Sequence, residues 1–191
     1  MRYEFPSVDG FFVLKGKIMN KKIEIITSIV LVFAVALSRL FPHPLNFTPI
    51  GAIALFAGVN FSKKYSLLLP IIAMLVSDYF LGFYSTMYWV YSSLILMSVV
   101  GILIKEKKSI PIIIGATLLN SILFFVITNF GVWFGGVMYP QSFSGLVDCY
   151  IAAIPFFRNS ITGDLFYVAV IFGLFEVSKI LIKNLKLESS N

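Results

Sequence analysis

A chain of 191 residues that is 59% apolar and 13% charged, with a mean hydropathy of +0.93, has too little polar surface to cover a soluble globule. Its formal net charge of +6 arises from 15 Lys and Arg against 9 Asp and Glu. Those bases flank apolar runs, a pattern of membrane orientation and anionic headgroups that excludes nucleic acid as a partner.

Residues 1–22 read as a cytoplasmic N-terminal tail. Pro6, Asp9 and Gly10 interrupt it, and a start at Met19 would set Lys21 and Lys22 directly before the first apolar run. No small-residue cleavage site follows that run, so it is expected to be a retained helix and not a signal peptide. The first span is predicted over 23–40, stopped by Pro42 and Pro44. The second is predicted over 50–61, with Thr48 as N-cap and Pro49 at the first helical position. At about 1.5 Å per residue it is short of a hydrocarbon core of about 30 Å. Gly51, Ala54 and Gly58 suggest that neighbouring helices shelter it, since small residues allow close approach.

Further spans are predicted over 65–83, with Pro70 inside, over 89–104 and over 110–130. The apolar stretch 145–157 is too short to cross, and a crossing there would put Lys179, Lys183 and Lys186 on the wrong side. It reads as a re-entrant or interfacial helix, followed by a last span over 164–182. The expected fold class is thus an all-α membrane protein of six transmembrane helices plus one short re-entrant or interfacial helix. The transmembrane domain occupies 23–183, between cytoplasmic tails 1–22 and 184–191. Of the 15 bases, only Arg39 and Arg158 fall on the outer side in this arrangement. Both termini then lie in the cytoplasm and the chain in the plasma (inner) membrane. No internal repeat is visible.

Three outer segments, 41–49, 81–89 and 128–159, differ in chemistry from the inner turns. They gather His43, Asn46, Tyr84, Asn129, Trp133, Tyr139 and Asn159, aromatic walls with neutral hydrogen-bonding groups, which is the mixture that small-molecule pockets use. The plain alternative for each ring is an interfacial aromatic belt. Ionisable groups at membrane depth carry more information. Arg39 and Asp78 could pair at one depth, as could Arg158 and Asp164. Asp164 could equally complement the positive end of a helix starting there, and Glu176 has Lys179 and Lys183 beside it. The lone His43 has no neighbouring carboxylate or thiol, and Cys149, the single cysteine, has no basic activator adjacent. No metal site and no cofactor is expected, and no catalytic residue is assigned. The chain shows neither H-E-x-x-H nor G-x-S-x-G nor a phosphate loop, so the reading is not an enzyme. An intramembrane enzyme acting on a lipid or peptide, and a structural membrane subunit, are the alternative classes.

The strings SRLFPHPLNFTPIGAIALFAG (38–58), LLLPIIAMLVSDYFLG (67–82), FFVITNFGVWFGGVMYP (124–140), GLVDCYIAAIPFFRN (145–159) and GDLFYVAVIFGLFE (163–176) carry a resemblance. They resemble an uncharacterised bacterial family described as membrane transport proteins. That family is similar to the substrate-binding S-components of energy-coupling factor (ECF) vitamin transporters. The resemblance implies six helices with both termini inside and a pocket open to the outside, capped by the first, third and fifth loops. It implies a vitamin-like solute or related micronutrient as cargo, membrane lipid around the chain, and an energy-coupling transmembrane subunit with ATPases as partner. S-components commonly carry an alanine pair on the first helix for that docking, where this chain has Ala34 and Ser38, so a solitary transporter is also open. Cobalamin-carrying relatives use a loop cysteine that the third loop here lacks. In this reading the first loop, with His43, Asn46 and Phe47, closes over the solute. Trp133, Tyr84 and Tyr139 wall the pocket, and Asn46, Asn129 and Asn159 fix a polar edge. Asp78, Arg39 and Arg158 read a charged group.

Overall fold

Apolar runs punctuated by proline, glycine and lysine turns become helices in the computed structural model, which describes residues 21–42 and 44–188. They are α1 (Lys21–Leu40), α2 (Ile50–Asn60), α3 (Lys63–Leu81), α4 (Met87–Ile104), α5 (Ile110–Phe134) and α6 (Phe143–Glu188), with a 3-10 turn at Lys105–Lys107. Among the described residues there is no strand. Four stretches are long and apolar enough to cross a membrane: Lys63–Leu81, Met87–Lys107, Ile110–Phe134 and Phe143–Ile180. The outward faces carry large bare side chains, with Ile26, Phe33, Leu103 and Leu174 each between 61% and 74% exposed. Such faces suit hydrocarbon and would aggregate in water.

The short helix α2 is the axis of the bundle. All eleven of its residues are buried, and it touches α3, α4, α5 and α6. Eleven residues rise only about 17 Å, and burial on every side removes any need to meet lipid. The small residues do what their spacing suggested. A Cβ on Gly58 would sit 2.7 Å from the Gly101 Cα, and one on Gly101 would sit 2.9 Å from the Gly58 Cα, so α2 and α4 meet backbone to backbone. The helix itself starts at Ile50, just after Pro49.

Cations close the far end of α2. Lys105 Nζ donates to the Phe61 carbonyl at 2.6 Å, and Lys108 Nζ donates to Asn60 Oδ1 at 3.4 Å. Both charges complement the negative end of the helix dipole. Burial, and then the nearby Lys179, push the Lys108 ammonium below the ordinary lysine value. Lys179 in turn pairs with Glu176 at 2.6 Å and lies 4.2 Å over the Phe175 ring, as the adjacency of those residues on one helix predicted. One end of the bundle is therefore a lysine end.

One expectation on helix boundaries is corrected. The segments 145–157 and 164–182 are not separate elements but parts of the continuous helix α6. No residue between Arg158 and Asp164 breaks the ladder, and the Ser160 and Thr162 hydroxyls turn back onto the carbonyls of Phe156, Arg158 and Asn159. Pro155 lies within the helix without ending it, leaving only the Ile151 carbonyl without its usual donor. A 46-residue helix is about 69 Å long, roughly twice a bilayer core, so only part of α6 can lie within hydrocarbon.

Candidate functional site

The end of the bundle away from the lysines is organised by one guanidinium. Arg39, in the last turn of α1, places Nη1 2.7 Å from Asp78 Oδ1 near the end of α3, and the same nitrogen donates to the Ser77 hydroxyl. Tyr91, one turn into α4, donates its hydroxyl to the other carboxylate oxygen, Asp78 Oδ2, at 2.7 Å. Asp78 is fully buried, so the charge-assisted bonds from Arg39 and Tyr91 are what keep a carboxylate tolerable there. Tyr84, in the turn between α3 and α4, stands close by. Burial first, and the Asp78 charge second, push its phenol up to about 12, so it is a neutral hydrogen-bonding group at any physiological pH.

The loop after α1 folds over this end. The Phe47 amide donates to the Pro44 carbonyl at 3.0 Å, closing a turn in which Asn46 takes φ 61°, a left-handed conformation that asparagine tolerates. Two contacts hold the loop down on α6. Asn159 Nδ2 donates to the Leu45 carbonyl at 3.0 Å, and the Phe47 ring packs against Tyr167 and Phe166 with centroids 5.4 and 5.9 Å away. Gly163 lies beneath, where a Cβ would come within 3.2 Å of Phe47.

The segment between α5 and α6 is folded by its own side chains. Trp133 Nε1 donates to the carbonyls of Pro140 at 3.1 Å and Ser142 at 3.2 Å, and Gln141 Nε2 donates to the Phe134 carbonyl at 2.7 Å. Ser142 Oγ then accepts the Gly145 amide at 3.2 Å and caps α6.

Two cavities open beneath these loops. The first, of about 330 Å³, is walled by Arg39, Thr48, Gly51, Tyr84, Ser160 and Asp164 together with apolar side chains that include Met74 and Met97. The second, of about 360 Å³, reaches Thr128, Asn129, Tyr139 and Cys149. Leu45, Asn46, Val90 and Phe124 border both, so the two are adjoining lobes under the first loop. Mostly apolar walls with a few fixed polar groups are the ordinary constitution of a small-molecule site.

The structure separates the residues singled out from sequence. Asn46 and Tyr84 line the first lobe, and Asn46, Asn129 and Tyr139 line the second. Asp78 lies behind the wall and holds Arg39, as the shared depth of the pair suggested. Phe47, Asn159 and Trp133 act on the loops, through ring packing and hydrogen bonds to backbone, and not on the cavity surface. Arg158 is exposed on α6 and borders neither lobe, while His43 lies outside the described residues. Cys149 is buried against the Asn129 carbonyl. Among the described residues no group of three or more His, Cys, Asp and Glu is placed to hold a metal ion.

Asp164 is the residue that sequence reasoning misplaced. It does not begin a helix, because α6 starts at Phe143, and it does not pair with Arg158: Ser121 of α5 donates to its Oδ2 at 2.7 Å. Its Oδ1 lies over Gly51 of α2, where a Cβ would overlap it and come 2.8 Å from the Met97 Cε. The glycine therefore makes room for the carboxylate at the cavity wall. A lone acid within an apolar run was the available signal.

These features define a helical membrane protein with a roofed, mostly apolar pocket at one end of its bundle. Residues 19–185 match the model of the family of unknown function DUF6580, and the chain belongs to that family. No curated protein and no solved structure matches it.

Proposed function

We propose that the chain is a solute-binding component of membrane uptake, in which α1 and α2 join the four longer stretches to make six spans. In this reading the lysine end faces the cytoplasm under the positive-inside rule, both termini lie there, and the pocket opens to the outside of the plasma membrane. The observation that carries it is the two-lobed cavity beneath the first loop, at the end that lacks lysine. The resemblance of the strings quoted above to a family that is itself similar to ECF S-components favours the same reading. It suggests a vitamin-like micronutrient as cargo, and either an energy-coupling subunit with ATPases or solitary operation. Binding and release, not chemistry on the solute, are the work of the pocket, whose polar groups are amides, hydroxyls, one paired arginine and one carboxylate.

The test is thermal stabilisation of the purified protein across vitamins, nucleobases, amino acids and cobalt compounds. A ligand at a hundred times its dissociation constant adds about 2.7 kcal/mol to the folded state. One stabilising compound whose effect is lost on Asn129→Ala or Tyr84→Phe supports the reading. A well-folded sample that no compound stabilises counts against it. Sidedness has its own check: a cysteine placed at exposed Ser85 should react with an impermeant maleimide from outside whole cells. Labelling only after permeabilisation would reverse the orientation.

A further inference from the structure

Charge does not balance in the pocket. Arg39 is engaged by Asp78, so the first lobe contains one neutralised cation and, at Asp164, one more carboxylate. Asp164 is only 8% exposed, and its described hydrogen-bonding partner is the uncharged Ser121 hydroxyl. Among the described residues the two ion pairs are Arg39–Asp78 and Lys179–Glu176, neither of which includes it. The lysines at the far end of α2 cap that helix and its neighbours. Next to Ser121 on the same helix, Asn120 Oδ1 is buried with no donor, while its Nδ2 donates to the Met97 carbonyl at 3.3 Å. This part of the bundle thus has acceptors in excess of donors. A buried acid at membrane depth requires a counter-charge or a proton, and such residues usually face a functional cavity.

We infer that the solute carries a positively charged nitrogen, and that Asp164 receives it at the floor of the first lobe. This rests on the solute-binding reading given above. Gly51 is what lets the carboxylate sit in the wall of the lobe, because a Cβ there would overlap its Oδ1. Met74, Met97 and Phe124 supply apolar and polarisable surface for the body of the solute. The volume of the lobe, about 330 Å³, suits a body of one or two rings. Anionic solutes are disfavoured, because the Asp164 carboxylate in the wall of the same lobe would repel them.

Matched probes test this on the full-length protein in detergent: pyridoxamine against pyridoxine, benzamidine against benzamide, and thiamine, each followed by thermal shift and calorimetry. The expected result is that the cationic member of at least one pair binds tenfold or more tightly than its uncharged counterpart, and that Asp164→Asn removes the preference. If the variant does not fold, the paired comparison on the unaltered protein decides alone. Equal or tighter binding of the uncharged members overturns the inference and leaves solute binding standing. A stabilised anion, with no cation bound, also overturns it. Failure of every compound, charged or not, removes both the inference and the uptake reading beneath it.

Discussion

Arg39 Nη1 and Asp78 Oδ1 meet at 2.7 Å, joining the last turn of α1 to the last turns of α3 across 39 positions of sequence. The Asp78 side chain is fully buried and the Arg39 side chain is 15% exposed, so either charge left alone would be poorly solvated. Removing one partner of such a pair typically costs about 3–5 kcal/mol, whereas replacing both by apolar groups costs less. Arg39→Met and Asp78→Leu are each expected to lower stability by about that amount, and the double variant by clearly less than the sum. Equilibrium unfolding in detergent over the four proteins measures the coupling. Strict additivity would mean that the pair is not a unit.

Tyr84 gives the pocket a pH signature with a defined sign. Its phenol ionises near 12 in the folded chain and near the ordinary value of 10.0 when unfolded. The folded state holds the proton more tightly, so this contribution to stability is complete below about 10 and is lost as pH rises toward 12. Tyr84→Phe should therefore flatten the alkaline fall in stability across that window, and should remove a component near 12 from the tyrosinate absorbance titration. A titration unchanged by the substitution would assign the late component to another ring.

Glycines provide a paired test of the packing around α2. At Gly58 a Cβ would meet the backbone of Ser98 and Gly101, atoms that cannot swing aside, and Gly58→Ala should cost about 1–3 kcal/mol. At Gly115, inside α5, a Cβ would meet nothing within 4 Å, and Gly115→Ala should stabilise by roughly 0.5–1 kcal/mol through helix propensity. Opposite signs in the same unfolding assay are the expected outcome. A neutral or stabilising Gly58→Ala would show that α2 and α4 are not in backbone contact.

The helices and the shelter of α2 were legible because they depend on local signals: apolar length, Pro42 and Pro44, lysine turns, and small residues four apart. The Arg39–Asp78 pair was legible because both sit at the same end of neighbouring spans. What failed was the division of α6. An argument from topology set a helix start at 164, but Ser160 and Thr162 are compatible with helix interior, and Pro155 alone does not end one. That error concealed Asp164, which then looked like a partner for the positive end of a helix. Trp133 and Asn159 were expected to line the pocket, but they bond to the backbone carbonyls of Pro140, Ser142 and Leu45. Composition does not encode partners of that kind.

The same carbonyl partner makes the attachment of the first loop testable. Asn159 Nδ2 holds the Leu45 carbonyl at 3.0 Å, and Phe47 is seated on Tyr167 and Phe166, so two independent attachments tie residues 44–47 to α6. A typical hydrogen bond contributes about 1 kcal/mol, which corresponds to roughly fivefold in an opening equilibrium. Aromatic pairs add about 0.5–1.5 kcal/mol each beyond their buried area. Hydrogen exchange at the Phe47 amide, bonded to the Pro44 carbonyl, reports that opening directly. Asn159→Ala is expected to speed its exchange about fivefold, and Phe47→Ala should speed exchange across the loop by more. Trp133→Phe, which loses only the indole bonds of the later segment, should leave the first loop unchanged while loosening residues 135–142. Equal exchange in the Asn159 variant and the unaltered chain would mean that the loop is held by its ring contacts alone.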